Sequence, residues 1–401
     1  MAIDRTLYRE VPATRAVWSA GLVLGAFLAA GLAAFLHVEH NGHVVTGMSN
    51  QIVWGMPHVF AIFLIVAASG ALNVASMASV FDNAAYKPLS RLSGVLAISL
   101  LAGGLLVLVL DLGRPDRLLV QLTHFNFRSI FTWNILLYSG FVAVVAVYLW
   151  VQMDRTVHPR WTRPVGTLAF VWRLALTTGT GSIFGWLVAR PGYDAAIMAP
   201  LFIAMSLALG LAVYVVVLQA LCALSGRVLG PERIAGMIRL LGLFVAVVLY
   251  FTLVQHLTNL YAAEHAGFER FILRDGGVYT GLFWGVQVFL GGLVPLMMIY
   301  SGRVNRPGLA ALVCGLVILG GLGQIYVIVI GGQAYPMELF PGYAVTSGFF
   351  DGEIAAYSPR LPEILLGLGG VAFALLATGV AAKILRILPS NLSDTNPVTK
   401  V

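Results

Sequence analysis

Cysteine is nearly missing from this chain, and charge is scarce. Only Cys222 and Cys314 occur in 401 residues, and both lie in apolar runs about ninety residues apart. That spacing supplies neither a disulfide framework nor a cysteine set for an iron–sulfur cluster, so both read as small buried apolar residues. Asp, Glu, Lys and Arg make up 10% of the chain, 59% is apolar, and the mean hydropathy is +0.89. Soluble domains carry about 25% charged residues, and a packed soluble core does not account for the difference. No G-x-x-x-x-G-K-[ST] loop occurs, which argues against an ATP-driven pump, and no C-x-x-C-H occurs, which excludes a covalent c-type haem. The net charge of +7 has no basic cluster or aromatic platform behind it, so nucleic acid is not expected as a partner.

What the chain has instead is length after length of apolar residues. A helix needs about 20 of them to cross roughly 30 Å of hydrocarbon. Ten runs qualify, at 16–38, 52–80, 92–112, 129–151, 165–188, 196–223, 238–262, 277–300, 308–331 and 362–388. The expected fold is therefore all-α and integral to a lipid bilayer, a single polytopic domain over 1–401. The first run follows Arg15 and is too long for a secretory h-region, so it is expected to be retained. An even number of spans puts both termini on one side. With that side cytoplasmic, it receives 16 of the 24 basic residues, against 7 on the other, and Arg173 alone falls inside a span. The positive-inside rule then predicts both termini in the cytoplasm and a multi-pass protein of a bacterial inner membrane. Most connections are short. The long one, 332–361, is extracytoplasmic in this scheme and rich in Gly, Pro and aromatics, which suits a cap or a docking surface with Tyr343, Phe349 and Phe350 as leading contacts.

Polar groups inside a membrane are costly, and here they gather toward the extracytoplasmic half. His58 stands one turn after Trp54. Asp111 ends the third run, in Asp111-Leu112-Gly113-Arg114-Pro115, while Asn134, Tyr138 and Thr180 occupy the same half of the fourth and fifth. Gln255, His256 and Asn259 end the seventh, with Gln287 and Gln324 deeper in the eighth and ninth. A carboxylate and an imidazole at one face, near an arginine, have the chemistry to bind and protonate the carbonyl oxygens of a quinone headgroup. The alternatives are structural: Asp111 as an ion-pair partner of Arg114 or Arg117, and His58 and His256 as interhelical hydrogen-bond formers. Arg173, His256, Asn259 and Gln287 are candidates for a proton path. No histidine pair recurs at matched depth in a four-helix pattern, which argues against haem b. A secondary transporter would need paired charges near mid-membrane, and only Arg173 lies deep. A purely structural anchor would need neither Asp111 nor His58.

Four stretches together resemble one family: Asp111-Leu112-Gly113-Arg114-Pro115, Phe125-Asn126-Phe127-Arg128-Ser129, ARPGYDAAIMAPLF at 189–202 and IGGQAYPMELFPGY at 330–343. The family is NrfD/PsrC, and within it the likeness is strongest to the DsrP-type branch found in the Dsr sulfur-metabolism membrane complex. The resemblance implies two four-helix bundles, helices 2–5 and 6–9, flanked by helices 1 and 10. It also implies a site for menaquinone or ubiquinone in the first bundle, facing an extracytoplasmic ferredoxin-like iron–sulfur subunit of DsrO type. Cytochrome c and further Dsr-type subunits are the other partners it suggests. Carried over by position are His58, Asp111 with Arg114 beside it, and the polar end of the fifth helix near Thr180; with Trp54 these are the quinone-binding candidates.

Overall fold

The computed structural model describes residues 7–154, 156–302, 306–337 and 352–392. Ten long helices run back and forth: α1 (Arg15–Asn41), α2 (Met56–Ser79), α3 (Ala84–Leu110), α4 (Ile130–Met153), α5 (Thr162–Trp186), α6 (Met198–Ser225), α7 (Pro231–Tyr261), α8 (Val278–Tyr300), α9 (Pro307–Ala334) and α10 (Leu361–Ile384). Among the described residues, nine of them are long and apolar enough to cross a membrane. The tenth, α5, is the least apolar because it carries Arg163, Arg173 and a run of Thr and Gly. Each of the ten expected apolar runs lies on a long helix, with ends moved for local reasons. Pro57 starts α2 four residues later than the apolar run, and α7 begins seven residues earlier, at Pro231, because Glu232 and Arg233 extend it beyond the apolar stretch.

The helices form two four-membered bundles, α2–α5 and α6–α9, joined chiefly along α2–α6 and α5–α6. Helix α10 lies against α2 and α3, and α1 packs on α10 alone to any extent, so both flank the first bundle. Helix α2 is buried along its membrane-spanning length, whereas α1 keeps Leu22 and Leu36 exposed. Such apolar surface is what a lipid-facing helix offers. Small residues set the closest crossings. A Cβ on Gly31 would come within 2.8 Å of the Gly369 Cα, and one on Gly70 would collide with the Ser206 carbonyl where α2 crosses α6.

Both termini meet on one side, called here the terminal face. The strand β1 (Tyr8–Arg9) pairs antiparallel with β2 (Leu388–Pro389), and Arg386 bonds Glu10 at 2.9 Å. Every residue singled out for chemistry except Arg173 lies toward the opposite, far face. Three irregularities mark the helices. α2 is interrupted at Leu72, and π-helical turns occupy Leu282–Leu293 of α8 and Val327–Gly331 of α9. Wider turns of this kind free backbone and side-chain groups and are frequent at functional sites.

Candidate functional site

His58 sits in the first turn of α2, directly after Pro57, and Asp111 is the residue that ends α3. Packing of α2 on α3 brings them together: His58 Nδ1 lies 2.9 Å from Asp111 Oδ2, with the carboxylate side chain 3% exposed and the imidazole 18%. Neither atom has a hydrogen bond of good alignment, so this is a close approach whose geometry is not locked. The turn behind Asp111 depends on Gly113, at φ +68°, where a Cβ would also strike the His43 ring; His43 Nε2 in turn reaches the Asp111 carbonyl at 3.3 Å.

Trp54 builds an aromatic wall over the pair. Its indole stacks on His58 and on Tyr193, each with centroids 6.1 Å away, and meets Phe131 and Phe184 edge-on. A buried amide holds that wall in place. Gln333 Oε1 accepts from the Val53 and Trp54 amides at 3.0 Å, and its Nε2 donates to the Trp54 and Val329 carbonyls. Arg190 ties the Gln51 and Gln333 carbonyls together, and Tyr193 OH donates to Val329. Burial pushes the Tyr193 phenol up and the Arg190 guanidinium down from their ordinary values.

Of the residues carried over by position, Arg114 is not brought to the pair. It faces Asp116 in an exposed bidentate contact at 3.0 Å, which holds the Asp116 carboxyl below its usual range. Thus Asp111 pairs with His58 and with neither Arg114 nor Arg117. Thr180 stands one turn below Phe184 in α5, where its Oγ1 donates to the Leu176 carbonyl and lies 3.3 Å from Tyr138 OH. Asn134 closes this α4–α5 cluster by donating to the Gly179 carbonyl.

The four proton-path candidates do not form one line. Arg173 is in the first bundle near the middle of α5, buried, donating to Asn73 Oδ1 at 2.7 Å and to the Ser69 carbonyl, with its guanidinium over Phe170. His256, Asn259 and Gln287 are in the second. There the chain after α7 folds back as a short helix, Ala266–Arg270, and places the fully buried Glu269 over the last turns of α7. Glu269 Oε2 is 2.6 Å from His256 Nδ1, and Asn259 Nδ2 donates to Oε1 at 2.9 Å. The Phe283 ring meets His256 edge-on.

Sequence reading missed Glu269, Gln333 and Glu363. The signal for Glu269 is a carboxylate between Phe268 and Phe271 in Gly267-Phe268-Glu269-Arg270-Phe271, between the seventh and eighth apolar runs. Glu363, 1% exposed, accepts from Tyr357 OH at 2.6 Å and from the Gly47 and Arg360 amides. Burial first, then that bond to Glu363, push the Tyr357 phenol up. Tyr343, Phe349 and Phe350 lie outside the described residues. The described flanks of their loop are stitched inward: Ala355 donates to the Ala334 carbonyl, Gln51 to that of Glu353, and Met56 N to Tyr357 OH.

Comparison with known proteins agrees in extent with this architecture. An integral membrane subunit of an Hdr-like menaquinol oxidoreductase from Archaeoglobus fulgidus is 27% identical over 92% of this chain and 93% of its own length. A candidate membrane subunit of a dimethyl sulfoxide reductase from Halobacterium salinarum is 28% identical over 88% of each chain. A subunit of the selenate reductase of Mesobacillus selenatarsenatis is 21% identical over 86% of this chain and 88% of its own. The family model described as polysulphide reductase, NrfD, matches residues 44–337, from the far-face turn before α2 to the end of α9, and so takes in both bundles with the His58–Asp111 and His256–Glu269 pairs. The chain is a multi-pass membrane protein of the NrfD family.

Proposed function

We propose that this chain is the quinone-exchanging membrane subunit of a multi-subunit oxidoreductase, and that Trp54, His58 and Asp111 hold the quinone or quinol head at the far face. The observation that carries the reading is the His58–Asp111 approach at 2.9 Å beneath an aromatic wall, reached from an imidazole that is still part-exposed. A quinone bound there would supply two-electron, two-proton redox chemistry. The chain's own part is to bind and to move protons. Asp111 stabilises a positive imidazole and keeps Nδ1 turned inward, which leaves Nε2 to hold or receive a proton at a carbonyl oxygen. Trp54 and Phe131, which remain part-exposed, offer apolar surface to a planar ring, with the buried Phe184 packed behind Trp54. The names of the relatives support the class: one is a menaquinol oxidoreductase subunit and others are subunits of reductases.

Electrons must come from or go to a partner, because two buried cysteines far apart cannot hold a cluster. The partner we propose is an extracytoplasmic ferredoxin-like iron–sulfur subunit docked on the far face, with the 332–361 loop and its Tyr343, Phe349 and Phe350 at the contact. Both termini are then cytoplasmic, in keeping with the distribution of basic residues. The loop motifs favour a DsrP-type assignment, with DsrO-like and cytochrome c partners. Purification of the complex from native membranes tests this reading. A cluster-bearing subunit with quinol-dependent reduction that fails in His58→Ala is the expected result; a solitary chain, or full quinol turnover in an assembled His58→Ala complex, overturns it.

A further inference from the structure

The first amides of a helix have no partner inside it and must be met from elsewhere. In the first turn of α2, Pro57 has no N–H, and the His58 amide turns back to the Gly55 carbonyl at 3.1 Å. Gly55 stands at the N-cap and has no side chain to offer the Met56 amide. That amide is met from another helix: the Tyr357 hydroxyl, in the lead-in to α10, accepts from it at 2.7 Å and donates in turn to Glu363 Oε1 at 2.6 Å. Glu363 Oε2 accepts from the Arg360 amide, which caps α10, and from the Gly47 amide in the connection between α1 and α2. One carboxylate, 1% exposed, thus ties the start of α10 to the start of α2. Gly55 lets this group close on the turn, since a Cβ there would stand 2.5 Å from Glu363 Oε1 and 2.9 Å from the Tyr357 oxygen.

We propose that Tyr357 and Glu363 are positioning residues of the quinone site, holding His58 toward Asp111 through the Met56 amide. His58 and Asp111 approach to 2.9 Å without a well-aligned bond of their own, so their geometry is set by the backbone on which each side chain stands. Met56 is two residues before His58, about 3 Å along the axis within one turn, and Pro57 between them has a fixed φ. A displaced Met56 amide therefore moves the imidazole. Gln333 holds Val53 and Trp54 from the end of α9, and Tyr357 holds Met56 from the side of α10, so two other helices grip the Trp54–His58 turn. Tyr357 and Glu363 lie beyond residue 337, where the family match ends, so this second grip comes from the flanking helix and not from the two bundles. Both act on a headgroup only through His58, and so bear on the rate of proton transfer more than on binding. That consequence rests on the quinone reading; the cap on α2 does not.

Tyr357→Phe in the full complex tests this, since it removes one oxygen and keeps the ring. Hydrogen exchange read by mass spectrometry reports the cap: the peptide spanning Met56 and His58 should exchange roughly threefold to tenfold faster than in the unmodified protein, and unchanged exchange there overturns the inference. Turnover with a soluble quinol analogue reports the consequence. Misplacement by about 1 Å costs on the order of a hundredfold, so kcat should fall roughly ten- to hundredfold while KM stays within about twofold. Combined with His58→Ala, Tyr357→Phe should add no further loss, because residues acting through one another are not additive. Losses that multiply, or a raised KM at unchanged kcat, would make Tyr357 a fastener of the 352–360 segment alone and overturn the positioning role. Normal kcat in Tyr357→Phe beside an impaired His58→Ala would overturn it as well and leave the quinone reading standing. Full turnover in an assembled His58→Ala complex would overturn the quinone reading and the positioning role together, even where exchange bears out the cap. Should Tyr357→Phe fail to assemble, Glu363→Gln, which keeps the shape but turns an amide donor toward the hydroxyl, is read by the same measurements.

Discussion

Asp111→Asn is the sharpest test of the first-bundle site, since it changes one atom and leaves shape intact. Asp111 Oδ2 lies 2.9 Å from His58 Nδ1, and its side chain is 3% exposed, so solvent screens the contact little. At an effective dielectric of about 20, two unit charges at this separation attract by on the order of 5 kcal/mol, of which desolvation offsets a large part. A hydrogen bond to a charged group, which the pair would form once aligned over a bound headgroup, is worth roughly 1.5–3 kcal/mol. If a protonated His58 is the proton donor, that is the stabilisation lost on removing the carboxylate, a fall of roughly 10- to 150-fold in quinol-linked turnover. The assay is steady-state turnover of the purified complex with a soluble quinol analogue, alongside a thermal melt to show that assembly survives. Arg114→Ala serves as the internal contrast: its guanidinium bonds Asp116 in an exposed pair, and such pairs contribute about 0–1 kcal/mol, so turnover should stay within a fewfold of normal. Turnover near wild type in an assembled Asp111→Asn complex, or a loss in Arg114→Ala as large as in Asp111→Asn, would refute the reasoning.

Gln333→Leu should loosen the Trp54 turn by removing the four hydrogen bonds of this buried amide, two of them to the Trp54 and Val53 amides; a stability loss of about 2–4 kcal/mol, with altered Trp54 fluorescence, is expected by chemical denaturation, and an unmoved midpoint would show that the amide is dispensable. Tyr357 is held neutral by burial and by its bond to Glu363, with its folded-state value raised above the ordinary 10.0, so the stability it contributes is fully present below about pH 10 and is lost as pH climbs beyond that. Melting temperatures of the unmodified protein should hold up to about pH 10 and fall above it, with a smaller fall in Tyr357→Phe; equal falls would remove Tyr357 from the account. A periplasm-specific reporter fused after residue 160 should be silent and one fused after residue 345 active, and the inverse would reverse the proposed orientation.

Composition and run length were enough to read an all-helical membrane protein with a helix on each of ten apolar runs, because hydrocarbon imposes about 20 apolar residues per crossing wherever the helix sits in the bundle. Their order and alternation put His58, Asp111, Thr180 and His256 at one level, since depth along an antiparallel helix is counted directly in residues. Partnership could not be counted that way. Arg114 is three residues from Asp111, yet the positive φ of Gly113 turns it outward to Asp116, while His58, more than fifty residues away in sequence, arrives by packing of α2 on α3. Glu269 reads as an ordinary loop acid until the short helix after α7 folds back over His256 and Asn259. Gln333 becomes the clamp of Trp54 only because α9 ends beside the start of α2. Depth is a one-dimensional property, set by hydrophobicity and distance along the chain; which polar groups share a proton or a bond depends on helix rotation and crossing, set by contacts such as Gly70 on Ser206 that only the assembled bundle makes.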